Sequence, residues 1–100
     1  MQILYYRTRD GQADYCFAFL RAADGSYHAV ILDMPSYGAR DTSLAITHRL
    51  PTGDGRYKVC WDRPLWSEEE AKAVAAKWAD LTQTYLQTGV TIDQQVREGA

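Results

Sequence analysis

The stretch from Ser67 to Gly89 constrains this chain more than any other. Ser67-Glu68-Glu69-Glu70 has the form of a capping box: the Ser67 hydroxyl can accept from the amide three residues on, Glu70 can reach back to the Ser67 amide, and three acids complement the positive end of the helix dipole. Trp66 against Ala71 would supply the hydrophobic staple. Ala71, Val74, Ala75, Trp78, Leu81, Thr82 and Tyr85 then recur at spacings of three and four and form one apolar stripe, while Glu69, Ala73, Asp80, Gln83 and Gln87 mark the wet face. Gly89 provides the C-cap. A helix over about residues 67–88 must lay its stripe on another layer, and the rest of the chain has to build that layer.

The rest reads as β. A run of β-formers, Gln2 to Arg7, is followed by the turn signal Asp10-Gly11. In the next run Tyr15, Phe17 and Phe19 alternate with Cys16, Ala18 and Leu20, so both faces are largely apolar and the strand belongs in the middle of a sheet. Ala22-Ala23-Asp24-Gly25-Ser26 closes a second hairpin, and Tyr27 to Asp33 alternates as a third strand. Residues 34–41 break the pattern at Pro35 and Gly38 and form a loop. Residues 42–48 return to weak alternation and read as a fourth strand, and Tyr57-Lys58-Val59-Cys60-Trp61 reads as a fifth after the turn at Pro51-Thr52-Gly53-Asp54-Gly55. Val90-Thr91-Ile92 could dock as an edge segment.

The expected fold is therefore α+β: an antiparallel meander of four to five strands with one C-terminal helix packed on one face, in a single domain over 1–92 with a flexible tail at 93–100. The rival is a half-open barrel with the helix plugging one end. With 100 residues, 46% of them hydrophobic, one core is sustainable without metals or staples.

Composition excludes more than it assigns. The formal charge of −2 gives no global attraction to a polyanion. The N-terminus lacks a signal-peptide pattern and no stretch approaches a membrane span, so the chain reads as cytoplasmic, with no membrane partner. Cys16 and Cys60 then read as reduced core residues, and together with His28 and His48 they are too isolated in sequence for a zinc site. No metal or cofactor is expected. There is no G-x-S-x-G, no H-E-x-x-H, no glycine-rich phosphate loop and no paired-carboxylate spacing, so the chain reads as non-enzymatic. His48 titrates in a useful range, but a catalytic role needs a nucleophile or carboxylate partner that the sequence does not single out.

What remains is contact. The 34–41 loop carries Met34, Tyr37 and Arg40, residue types enriched at interface centres, and these are the expected partner-binding residues. Another protein or a second copy of the chain, as a homodimer, is the partner such a surface implies. The alternative is a weak single-stranded nucleic-acid-binding surface. From Tyr37 to Arg63 there are five Lys and Arg against Asp41, Asp54 and Asp62, and Arg40, Arg49, Lys58 and Arg63 with Tyr37 or Tyr57 would neutralise phosphate and stack bases.

At Pro35-Ser36-Tyr37-Gly38, Thr47-His48-Arg49-Leu50, Tyr57-Lys58-Val59-Cys60-Trp61-Asp62 and Trp78-Ala79-Asp80 the chain resembles small stand-alone proteins of bacterial mobile genetic elements, such as integrative elements and phages. That resemblance implies a context in which some members bind and modulate host defence machinery. It implies no activity and transfers no site residues.

Overall fold

The structure, a computed structural model, describes residues 2–99. Strands β1 (Gln2–Arg7), β2 (Asp14–Arg21), β3 (Tyr27–Asp33), β4 (Arg49–Pro51) and β5 (Tyr57–Val59) form one antiparallel sheet in the order β1-β2-β3-β5-β4. Three helices accompany it: α1 (Leu44–Thr47), α2 (Glu68–Thr88) and α3 (Ile92–Arg97). The α+β arrangement expected from the sequence is present, with the long helix on one face of the sheet. The two edge strands, β1 and β4, are not joined, so the sheet stays open rather than closing into a barrel.

The apolar stripe of α2 is buried as its spacing requires. Trp78, Ala71 and Ala75 are fully enclosed, and with Val74 and Leu81 they meet Tyr15, Phe17 and Phe19 of β2 and Ala29 and Ile31 of β3. The Trp78 ring stands edge-on to Tyr15 and Phe17, with centroids 6.1 and 6.0 Å away, the geometry aromatic quadrupoles favour. Its indole N–H donates to the Thr47 carbonyl at 3.1 Å.

The helix entry differs in detail from the expected box. Ser67 caps the Glu70 amide at 3.1 Å, but the Glu70 carboxylate accepts from the Trp66 amide and from Arg63 rather than from Ser67. Trp66 stands 59% exposed, and the buried apolar residue ahead of the helix is Leu65. Two positions assigned to the wet face are covered. Gln83 is buried and accepts from the Tyr15 hydroxyl, and Asp80 accepts from the Tyr6 hydroxyl and the Arg9 amide. The β1–β2 end of the sheet overlaps that flank of the helix, which a helical wheel cannot show.

Three expectations are corrected. Residues 42–48 are not a strand; they hold α1, and the fourth strand begins only at Arg49. Alternation of Leu44, Ile46 and His48 suits one helical turn as well, and the turn is secured because Thr47 Oγ1 bonds back to the Ser43 carbonyl while the Thr47 carbonyl receives the Trp78 indole. Residues 90–92 add no strand; the Thr91 side chain instead caps α3 by accepting from the Gln94 amide. Residues 92–97 are helical where a flexible tail was expected over 93–100, of which Ala100 lies outside the described residues; Ile92 enters the core and buried Gln95 donates to the Leu81 and Val90 carbonyls at the end of α2.

Candidate functional site

The residues nominated from sequence fall into four separate places. The 34–41 loop turns toward the C-terminal end of α2. Met34 packs on the core, Arg40 donates to the Leu86 carbonyl at 3.3 Å, and the Tyr85 hydroxyl donates to the Asp41 carbonyl at 2.7 Å. Arg40 thereby satisfies an end-of-helix carbonyl and places a cation where the dipole favours one. Gly89 is required beneath it: its φ is +80°, and a Cβ there would stand 2.8 Å from the Arg40 guanidinium.

Tyr37, Arg49 and Tyr57 are brought together. The Arg49 guanidinium lies 4.8 Å from the Tyr37 ring centroid and 4.1 Å from that of Tyr57, and it donates to Thr47 Oγ1 and the Thr42 carbonyl. Arg49 is only 9% exposed, so its charge is spent on two π faces and two oxygens inside the protein. The Tyr37 hydroxyl is buried with no hydrogen-bond partner among the described residues, and burial pushes its pKa up to about 12 against the opposing pull of Arg49. An unpaired buried hydroxyl costs roughly 1–3 kcal/mol. Tyr37→Phe is accordingly expected to raise the melting temperature by about 4–8 °C, the equivalent of ~1 kcal/mol in a domain of this size, in a circular-dichroism melt.

Arg63 and Lys58 lie elsewhere. Arg63 is paired with Glu70 at 2.8 Å beside the start of α2. Lys58 projects from the sheet face opposite α2, where it is the register partner of Val30 and approaches His28 Nδ1 at 3.5 Å. Burial, and next the Lys58 charge, holds the His28 pKa below its ordinary value.

That second sheet face is largely apolar around His28 and Lys58, and no helix covers it. β1 contributes Ile3 and Tyr5, β2 contributes Cys16, Ala18 and Leu20, β3 contributes Val30, and β4 contributes Leu50. Ile3, Tyr5, Leu20 and Leu50 are 42%, 80%, 43% and 42% exposed. Between Leu20 and the loop carrying Asp54 and Arg56, the face dips into a trough of about 570 Å³ with Ala18 and Val30 in its lining. The sequence contained the signal, in the two-sided apolar pattern of β2, but not the fact that only one side would be roofed.

A second concavity was not foreseen. His48 closes α1 in the left-handed conformation with φ +53°, the one non-glycine residue with positive φ among those described. Such a residue gives up about 1–2 kcal/mol. Its amide donates to the Leu44 carbonyl, its carbonyl accepts from the Cys60 amide, and its ring Nε2 lies 2.8 Å from Asp93 Oδ1. The carboxylate partner that the sequence did not single out is supplied from 45 residues away by α3. The pair borders a cleft of about 500 Å³.

Both cysteines are free, Cys16 buried and Cys60 half-buried. Among the described residues no group of three or more His, Cys, Asp or Glu could hold a metal ion, and no helix is long and apolar enough to cross a membrane. Comparison with family models, curated proteins and solved structures finds no match for this chain.

Proposed function

We propose that this protein is a non-enzymatic interaction module, and that it binds its protein partner through the open sheet face rather than through the 34–41 loop. The observation carrying this reading is the run of Ile3, Tyr5, Leu20 and Leu50, all more than two-fifths exposed on one face of a rigid sheet. Ile3, Tyr5 and Leu20 lie on the adjacent strands β1 and β2, with Leu50 across the sheet beyond Lys58, and large apolar side chains exposed on one face mark an association surface. Lys58 specifies the partner's chemistry. Its ammonium lies 3.5 Å from His28 Nδ1, whose pKa burial lowers, and it forms no ion pair with a carboxylate among the described residues. The occupant is a partner segment that lays an apolar surface on the trough and directs a carboxylate to Lys58.

The resemblance to mobile-element proteins makes a host protein the natural class of partner. Met34, Tyr37 and Arg40 support the fold of the loop in this reading. No specific observation favours nucleic acid, because the nominated cations are divided between an internal sandwich, a helix end, an ion pair and the sheet face.

The test compares three variants in crosslinking pull-downs repeated with nuclease. Tyr5→Glu with Leu20→Glu is expected to lose the partner, Lys58→Glu to weaken it at least ~10-fold by placing like charges together, and Tyr37→Ala with Arg40→Ala to retain it if still folded. Retention of the partner by the Tyr5/Leu20 variant would refute the assignment. Loss on nuclease treatment would move it to nucleic acid.

A further inference from the structure

We propose that the outer edge of β1 pairs with β1 of a second copy of this chain, in an antiparallel two-fold seam centred on Tyr5. The two edges of the sheet are finished differently. β4 has three residues and ends on Pro51, which lacks an amide hydrogen, so it offers little to another strand. β1 runs six residues in an unbroken register with β2 and contains no proline, lysine or bulge, the devices that keep an edge from pairing.

Local geometry decides which backbone groups are free. The Thr8 amide donates to the Ala13 carbonyl at 2.9 Å, one step beyond the Arg7–Asp14 pair of the β1–β2 register. Because antiparallel pairs alternate between bonded and unbonded, Gln2, Leu4 and Tyr6 direct their backbone toward β2, and the N–H and C=O groups of Ile3, Tyr5 and Arg7 point away from the sheet. No described residue hydrogen-bonds to them there, and α2 meets the sheet chiefly at β2 and β3.

A second copy is the occupant because the edge matches itself. With Tyr5 opposite Tyr5 of the second copy, Ile3 faces Arg7 and Arg7 faces Ile3, so every outward group of one copy meets an outward group of the other. A seam shifted to set Ile3 opposite Tyr5 gives Arg7 no opposing residue within β1. Residues 2–6 carry no charge and the Arg7 guanidinium is held by Asp14 of its own copy at 2.9 Å, so the seam brings no unpaired like charges together. Ile3 and Tyr5, 42% and 80% exposed in one copy, gain cross-strand partners. The two-fold axis stands perpendicular to the sheet, so both bare faces fall on one side of a continuous sheet and both α2 helices on the other.

Sedimentation equilibrium of the full chain up to ~500 µM is expected to show a monomer–dimer equilibrium, since a single strand pair makes an interface of the small, reversible class. Tyr5→Pro removes an outward amide without touching the β2 ladder and is expected to weaken the dimer at least ~10-fold while circular dichroism remains that of the folded protein. Tyr5→Lys and Tyr5→Glu each set like charges opposite one another and are expected to weaken it similarly; mixing the two should restore a heterodimer, which requires residue 5 to oppose itself. Leu20→Glu, on the open face away from the seam, should dimerise as the wild type does. Monomer throughout the concentration range, a dimer indifferent to Tyr5→Pro and Tyr5→Lys, no recovery on mixing, or loss of the dimer in Leu20→Glu would each overturn the proposal, the last by showing that the copies pack face to face. The seam does not rest on the open-face reading: Leu20→Glu and Lys58→Glu report on the partner site alone, so either can fail without the other.

Discussion

Trp78→Ala is expected to leave the protein largely unfolded or aggregated. The indole is fully buried, stands edge-on to Tyr15 and Phe17, and gives its only N–H to the Thr47 carbonyl. Removing a buried aromatic costs about 3–5 kcal/mol in transfer and cavity terms, and orphaning the carbonyl adds roughly 1–3 kcal/mol. A domain of this size has about 5–15 kcal/mol in all. Trp78→Phe separates the two contributions, since it keeps a ring but loses the donor, and it should fall between the wild type and Trp78→Ala in urea denaturation. Glu69→Ala, on the exposed face of α2, should be nearly neutral. A melting temperature unmoved by Trp78→Ala would show that the helix does not rest on the sheet through this residue.

The second large effect is expected at Arg49. Its guanidinium lies between the rings of Tyr37 and Tyr57 and donates to Thr47 Oγ1 and the Thr42 carbonyl. Each cation–π contact contributes ~0.5–2 kcal/mol and hydrogen bonds from a charged donor ~1.5–3 kcal/mol, in part offset by returning a cation to water, so Arg49→Ala should cost about 2–4 kcal/mol. Lysine should rescue little, because it cannot stack flat between two rings while reaching two oxygens. Methionine should rescue part of the loss by keeping apolar volume between the tyrosines. Thermal melts of the three variants, with near-ultraviolet circular dichroism reporting on the tyrosines, check this order. An alanine variant as stable as the wild type would return Arg49 to the surface and restore it as a candidate for phosphate contact.

These two residues illustrate how unevenly the site could be read. Trp78 lay on a stripe whose period demanded a buried face, and every residue of the stripe is covered. Arg49 looked like a solvated cation, because nothing in Thr47-His48-Arg49-Leu50 discloses that residues 34–41 will bring a tyrosine ring over it. Arg40 misled in the same way, since its partner is a helix-end carbonyl at Leu86. Asp93 could not be selected at all: its value lies in a contact with His48 that exists only because α3 folds back against α2 and α1.

By itself the sequence determined the elements whose causes are local. Spacing of three and four made α2, Ser67 and Gly89 set its ends, Asp10-Gly11 and Asp24-Gly25 turned the first hairpins, and the two-sided apolar run of β2 assigned that strand to the interior of the sheet. Tertiary structure decided the rest. It chose a helical turn over a strand at residues 44–47, inserted β5 between β3 and β4, and drew residues 92–97 into a helix against the core. It also buried Arg49, packed Met34 partly against the core, and left one largely apolar sheet face without a helix over it. The physical reason is common to all of these. Propensity and periodicity report what a segment can do within a few residues, whereas a buried indole N–H, a guanidinium or a sheet face is satisfied by whichever distant segment the fold delivers to it.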